Sequence, residues 1–123
     1  MASFKVYYDE KQECVIASLE GKSDFEILKK YAKRILETGE KHQCKVLFND
    51  VRKEEPAFSL TDFLKIMNMI ISMGLDDSWK KAMVVAKRSL GYRFYEALTV
   101  NEAINLKLFV NPYEAMIWLK KSD

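Results

Sequence analysis

The residue types that most often catalyse reactions or bind metals are sparse in this sequence. His42 is the only histidine, and the two cysteines, Cys14 and Cys44, form no Cys-x-x-Cys pair. These three residues cannot by themselves supply a catalytic triad, a redox pair or a tetrahedral zinc site. The glycines are isolated, so no phosphate-binding loop is present; they are Gly21, Gly39, Gly74 and Gly91. We therefore predict no catalytic residue, cofactor site or metal site, and we interpret His42 as a solvated loop residue and both cysteines as buried apolar side chains.

Charged and polar residues follow two predicted strands at the ends where ligands commonly bind in α/β sheets. The first set begins at Asn49, and the second begins with Lys87 and Arg88. The second set also precedes a predicted helix, whose free N–H groups and positive dipole end attract anions. Together these residues predict a rim that binds an anion or another ligand: Asn49, Asp50, Arg52, Lys87, Arg88 and Arg93. The alternative is an ordinary solvated set of loops in which Asp50 pairs with an arginine.

The segment Leu60–Met73 carries more apolar side chains than a helix on a sheet needs. Its polar residues follow one narrow stripe at helical spacing: Thr61, Lys65, Asn68 and Ser72. One apolar group forms the predicted core-facing arc: Leu60, Phe63, Leu64, Met67 and Ile71. A second group widens that arc to about twice the usual width: Ile66, Met69, Ile70 and Met73. We predict that a second subunit, a partner protein or an apolar ligand covers this second group. The alternative is a central helix flanked by other helices of the same chain.

The overall composition is that of one globular domain. The chain has 123 residues, of which 49% are hydrophobic and 31% charged, and its net charge is +2. A domain of this size can fold without metals or disulfides. Because acidic residues alternate with basic ones, we expect no nucleic-acid partner. The longest nearly apolar run, Ile66–Leu75, is too short to span a membrane, and the first residues lack the apolar part of a secretion signal. We therefore expect a cytoplasmic protein with reduced cysteines.

Hydrophobic periodicity divides the chain into alternating strands and helices. Phe4–Tyr8 and Cys14–Leu19 predict an antiparallel hairpin whose second strand ends at Gly21. Ser23, with a glutamate at capping-box spacing, predicts the start of a helix that ends near Gly39. The next predicted elements are a strand over Lys45–Asn49, a polar loop through Pro56, and a helix over Leu60–Met73 capped by Ser59 and ended by Gly74. The last are a strand over Lys81–Ala86, a helix over Ser89–Val100, a strand over Leu106–Val110 and a helix capped by Asn111 with Pro112 at its first position.

The resulting order of elements is ββαβαβαβα. After the hairpin, each strand–helix–strand step favours parallel strands joined by right-handed crossovers. We therefore predict an α/β fold with a mixed five-stranded sheet, forming one domain over residues 1–123. The helices should lie mainly on one face of the sheet.

Two segments resemble the SpoIIAA-like branch of the STAS domains, named after sulfate transporters and anti-sigma-factor antagonists. Phe109–Leu119, which reads Phe-Val-Asn-Pro-Tyr-Glu-Ala-Met-Ile-Trp-Leu, is similar to the closing strand, capped turn and helix of that family. Val46–Arg52 is similar to its central strand. The resemblance implies the SpoIIAA-like fold and the binding of proteins, small anions or lipids. The phosphorylated serine of the anti-sigma antagonists has no counterpart within Asn49–Arg52, and Ser59 follows only later as a predicted helix cap.

Three functions remain open from the sequence. The first is a non-enzymatic regulatory module that binds a protein or a second copy of itself through the second helix. The second is a carrier or sensor of a lipid-like or other small apolar ligand, which agrees with the broad similarity of this family to Sec14-type lipid-binding folds. The third is an enzyme that uses Asp50 or Lys87, which has the least support.

Overall fold

The computed structural model describes residues 2–87, 96 and 105–121. The elements are β1 (Ser3–Asp9), β2 (Cys14–Ser23), α1 (Phe25–His42), β3 (Val46–Pro56), α2 (Leu60–Met73), β4 (Lys80–Val84), β5 (Leu106–Phe109) and α3 (Pro112–Lys120). The helix predicted over Ser89–Val100 lies, apart from residue 96, outside the described residues.

All five strands belong to one mixed sheet, in the order β1-β2-β3-β4-β5. β1 and β2 are antiparallel, with Phe4 opposite Leu19, and each later pair is parallel. Asp9 stabilises the hairpin turn, because its carboxylate accepts hydrogen bonds from the backbone N–H groups of Lys11 and Gln12. The predicted α/β fold with a mixed five-stranded sheet is confirmed, and the two buried runs near residues 46 and 81 are strands.

β2 and β3 are longer than predicted. Gly21 does not end β2, and the segment before Pro56 is a strand rather than a polar loop. A bulge between Ser18 and Glu20 shifts the register, after which the two strands pair until Ser23 lies opposite Pro56. Gly21 takes a φ of 89°, which glycine adopts without strain. The charged residues of β3 concealed this extension because they do not alternate with apolar ones.

Both ends of α1 differ from the prediction. Asp24 caps the helix, and its carboxylate accepts a hydrogen bond from the Ile27 N–H. The predicted cap, Ser23, is instead a fully buried residue of β2. The helix continues past Gly39 to His42 and ends where Gln43 takes the left-handed conformation at φ 51°. Gly39 serves close packing, because a Cβ atom there would lie 2.3 Å from Trp79 Cη2 and 2.6 Å from the Cys44 carbonyl oxygen.

The caps of the two later helices are confirmed. Ser59 begins α2 and accepts a hydrogen bond from the Asp62 N–H, and Gly74 ends that helix with a φ of 122°. Asn111 caps α3 and accepts hydrogen bonds from the N–H groups of Tyr113 and Glu114, with proline at the first helical position.

The two faces of the sheet carry cores of different size. On the inner face, which packs against α1 and α2, the strands contribute Val15, Ala17, Leu19, Leu47, Val51, Met83 and Val85. On the outer face, Ala82 and Val84 pack with Ala115 and Leu119 of α3. The helices were predicted to lie mainly on one face; α1 and α2 do so, whereas α3 covers the outer face over β3, β4 and β5. The side-chain alternation of β4 therefore divides the core into two layers.

Candidate functional site

The predicted rim is divided between the two faces of the sheet. Asn49 is 8% exposed and points to the inner face, where its side-chain oxygen accepts a hydrogen bond of 2.5 Å from the Tyr31 hydroxyl. Its neighbour Asp50 lies on the outer face, because successive side chains of a strand alternate. Lys87 follows β4 and is exposed, whereas Arg88 and Arg93 lie outside the described residues. The prediction that these residues converge is therefore wrong for Asn49, since it belongs to the core.

Asp50 and Arg52 form an ion pair on the outer face. Arg52 Nη2 lies 2.7 Å from Asp50 Oδ2, and Arg52 Nε donates to Asp50 Oδ1 over 3.0 Å. Partial burial alone would raise the pKa of Asp50, but hydrogen bonds and charge from Arg52 outweigh it, so the pKa is lowered. The same pair raises the pKa of Arg52. A general-acid role at neutral pH is disfavoured because the carboxylate stays ionised, and the lowered pKa also makes Asp50 a weak general base.

The Asp50–Arg52 pair lines a groove of about 560 Å3 that is open to solvent. The groove runs over the outer face of the first three strands, and its walls include Ser3, Lys5, Ser18, Glu20 and Lys53. Ser3 donates a hydrogen bond to Glu20 across the first two strands. Positive and negative side chains are therefore mixed along the groove, which weakens any attraction for a simple anion.

α2 buries only part of the predicted core-facing arc: Phe63 is buried and Met67 packs partly against the core, but Ile66 is buried instead of Leu60 and Leu64. Phe63 is fully buried and Ile66 is 2% exposed, whereas Leu60 and Leu64, which were predicted to face the core, are 51% and 48% exposed. Ile70, one turn beyond Ile66, packs partly against the same core. These side chains form an i, i+3, i+7 line, which is the contact line of a helix on a sheet. The sequence allowed two neighbouring stripes, because both sides of α2 are apolar.

The four residues predicted as an interface therefore have different surroundings. Ile66 is covered by its own chain, which makes its assignment to an interface wrong. Ile70 lines a cavity under the helix. Met69 packs partly against the core, and Met73 is half-buried near the end of the helix. The exposed apolar surface of α2 is instead at Leu60 and Leu64.

The inner face holds a cavity of about 70 Å3 between α1, α2 and the sheet. Most of its walls are apolar, including Leu28, Leu47, Ile70 and Met83. Its polar wall groups are Tyr31, Asn49 and Lys81. Sequence reasoning did not single out Tyr31 or Lys81 as site residues. The sequence did contain one signal for a buried polar residue. Lys81 alternates with Met83 and Val85 on the same face of a strand that was predicted to be buried.

A second buried polar pair joins the ends of β2 and β3. The Ser23 hydroxyl donates a 2.6 Å hydrogen bond to Glu54 Oε2, and these residues are 0% and 7% exposed.

Burial, followed by the charges of Glu54 and Asp50, raises the pKa of Tyr31 well above its ordinary range. The Tyr31 hydroxyl therefore stays neutral and acts as a hydrogen-bond donor.

The histidine and the two cysteines lie in ordinary packing environments. His42 is the last residue of α1, rather than a loop residue, and its ring stacks on Tyr8 with a centroid distance of 4.4 Å. Both cysteines are free; Cys14 is fully buried, and burial, followed by the charge of Cys44, raises its pKa to about 12. Among residues 2–87, 96 and 105–121, no group of three or more His, Cys, Asp or Glu side chains could hold a metal. In the same residues, no helix is both long and apolar enough to cross a membrane.

Comparison with known proteins finds similar structures but no similar sequences. No family model matches the chain, and no curated protein matches it significantly. An anti-sigma factor antagonist from Mycobacterium paratuberculosis superposes with a TM-score of 0.70 at 14% identity, over 98% of this chain and 96% of that one. An uncharacterized protein with a SpoIIAA-like fold from Shewanella loihica superposes with a TM-score of 0.62 at 14% identity, over 96% of this chain and 93% of that one. The resemblance seen in the sequence is thus confirmed at the level of architecture: the chain has the SpoIIAA-like fold of the STAS domains.

Proposed function

We propose that this chain is a non-enzymatic regulatory module that acts by binding another protein. The observation that carries the proposal is an apolar patch at the starts of α1 and α2. Phe25, Leu60 and Leu64 are 45%, 51% and 48% exposed there. The anti-sigma factor antagonist with the same fold supports the proposal, since its name describes action on another protein.

The patch lies where the two helices begin beside each other. The Ala57 N–H donates a 2.8 Å hydrogen bond to the Ser23 carbonyl oxygen, which ties the segment before α2 to the segment before α1. Phe25 follows the first segment by two residues, and Leu60 follows the second by three. Large apolar side chains gathered at one end of a domain are typical of a protein contact surface.

A photo-crosslinking experiment in the native host tests this proposal. A benzophenone amino acid at position 64 should give one discrete protein adduct, which mass spectrometry identifies. The matched control carries the same amino acid in place of Ile117, which is 59% exposed on α3. The added substitution Leu60→Lys should abolish the adduct at position 64, because a charge would have to enter the apolar contact.

The adducts also discriminate among partners. An adduct of twice the chain mass identifies a second copy of this protein, and any other mass identifies a different partner. Equal adducts at positions 64 and 117, or none at position 64, would contradict the proposal. Circular dichroism of Leu60→Lys should show the wild-type fold, since Leu60 is already half in water.

The other functions considered have less structural support. A carrier of an acyl lipid needs a cavity of several hundred Å3, whereas the inner cavity measures about 70 Å3. An enzyme based on Asp50 is disfavoured by the ion pair with Arg52. Lys87 is exposed three residues beyond the end of β4.

A further inference from the structure

Two adjacent lysines of β4 lie in opposite environments. Lys80 points to the outer face, where its ammonium donates to the Lys121 carbonyl oxygen over 2.8 Å and lies 4.7 Å from the centre of the Trp118 ring. Lys81 points to the inner face and is only 5% exposed. Lysine is rarely buried to this extent without an acidic partner.

The ammonium of Lys81 has a single hydrogen-bond partner among the described residues. It donates to the backbone carbonyl oxygen of Asp76, and the structure shows no ion pair for it within those residues. The Asp76 carboxylate is engaged elsewhere, because it accepts hydrogen bonds from the N–H and hydroxyl of Ser78. An ammonium has three N–H donors, so Lys81 retains two for another acceptor.

Burial lowers the pKa of Lys81 to about 8, while the charges of Asp76 and Asp77 oppose that shift. Most Lys81 side chains therefore carry a positive charge at pH 7. A buried positive charge with spare donors is costly in free energy, and an acceptor with negative charge would reduce that cost.

The cavity limits what the acceptor can be. Its volume of about 70 Å3 is near half that of an engineered protein cavity of about 150 Å3 that takes up benzene. Leu28, Leu47 and Met83 supply an apolar wall beside Lys81. The Tyr31–Asn49 hydrogen bond already pairs the other two polar groups.

We propose that this cavity binds a short-chain monocarboxylate, such as propionate, with its carboxylate on Lys81 and its alkyl group against the apolar wall. This ligand site goes beyond the protein-binding function proposed above and does not depend on it. Phosphate fits less well, because its additional oxygens would lie against apolar side chains. Longer acyl chains exceed the cavity volume.

Titration of the complete chain with sodium propionate, followed by NMR of isotope-labelled methyl groups, tests the inference. Shifts should saturate at residues lining the cavity, with a Kd on the order of 1–10 mM for so small a ligand. Propionamide has nearly the same shape without the charge, and it should bind about 10-fold or more weakly. Hexanoate should fail to produce the same shifts.

Two variants locate the binding group. Lys81→Met should weaken propionate binding by about 10-fold or more, whereas Lys80→Met should leave it unchanged, because Lys80 faces away from the cavity. No saturable shift with propionate, or equal binding of propionate and propionamide by the wild-type chain, would overturn the inference without reference to any variant. Loss of binding in both variants would also overturn it, since the effect would then be one of net charge.

Discussion

The inner and outer faces of the sheet differ in how far their polar side chains are exposed to solvent. On the outer face, Asp50 and Arg52 pair at the edge of a wide groove, with side-chain exposures of 25% and 43%. On the inner face, Asn49 and Lys81 lie under two helices and are 8% and 5% exposed. β3 supplies polar side chains to both faces, so the difference comes from what covers each face.

This difference indicates where polar groups cost stability. A polar group beside water loses little solvation and can be replaced with little effect. A polar group under α1 and α2 must find its partner inside the protein or reduce the stability of the fold. Because Lys81 is the least satisfied of the inner polar groups, it is also the one most in need of a functional explanation.

The largest effect should come from removing an aromatic ring of the inner core. Phe63→Ala should lower the free energy of unfolding by about 3–5 kcal/mol, because Phe63 is fully buried between α2 and the sheet. Phe48→Ala on the outer face, where the ring is half-buried, should cost about 1–2 kcal/mol. Urea denaturation of both variants measures the contrast. Similar losses would show that α3 protects the outer face as well as α1 and α2 protect the inner one.

Lys81→Met should stabilise the protein at pH 7 by about 1–3 kcal/mol, because it removes a buried charge without opening a cavity. The difference in unfolding free energy between wild type and Lys81→Met should depend on pH. The pKa of Lys81 is about 8 in the folded chain and near 10.5 when unfolded. Between these values only the unfolded chain keeps the proton, so wild-type stability relative to Lys81→Met should rise with pH.

Denaturation at pH 7, 8 and 9 measures this rise, with Lys80→Met as the control that should show no such trend. A pH-independent difference between wild type and Lys81→Met would mean that the Lys81 pKa is not shifted by burial.

Tyr31→Phe should cost about 1–2 kcal/mol, because it leaves the Asn49 side-chain oxygen buried without its donor. The matched control is Tyr7→Phe on the outer face of β1, where the side chain is 52% exposed and the change should be within error. Thermal and urea denaturation compare the two. Equal effects would show that water reaches Asn49 through the inner cavity.

The smallest effect should follow from breaking the outer ion pair. Arg52→Ala should cost about 0.5 kcal/mol or less, and added salt should reduce that cost further. Since the pKa of Asp50 is lowered in the folded chain, the contribution of the pair should be present at neutral pH and disappear as the pH falls below about 4. A larger loss in Arg52→Ala, unaffected by salt, would place the pair in a far drier environment than the groove provides.

Local sequence signals predicted much of the fold. The hairpin, the Ser59 and Asn111 caps, and the strands beginning near residues 46 and 81 depend on neighbours in the chain, and the structure confirms them. Ser23 misled the prediction because capping-box spacing does not reveal that a strand continues through Gly21. The register between β2 and β3 depends on contacts between residues about 30 positions apart in the chain, such as Ser23 and Pro56.

The candidate sites were less accessible to sequence reasoning. Asn49 and Asp50 are adjacent in the chain, and only the orientation of β3 assigns one to the core and the other to the groove. The rotation of α2 was equally undetermined, because apolar side chains occur on both flanks of its core-facing stripe. In the folded chain Phe63 and Ile66 are buried, whereas Leu60 is exposed to solvent.

The sequence by itself determined the order of the described strands and helices, where α2 and α3 begin, and that one mixed α/β sheet results. These properties follow from hydrogen bonding and side-chain periodicity within a few residues. The tertiary structure alone decided which lysine of β4 is buried, which stripe of α2 meets the sheet, and which polar side chains share a cavity. Those outcomes depend on how segments far apart in the chain fill a common volume, and short-range patterns carry no information about that volume.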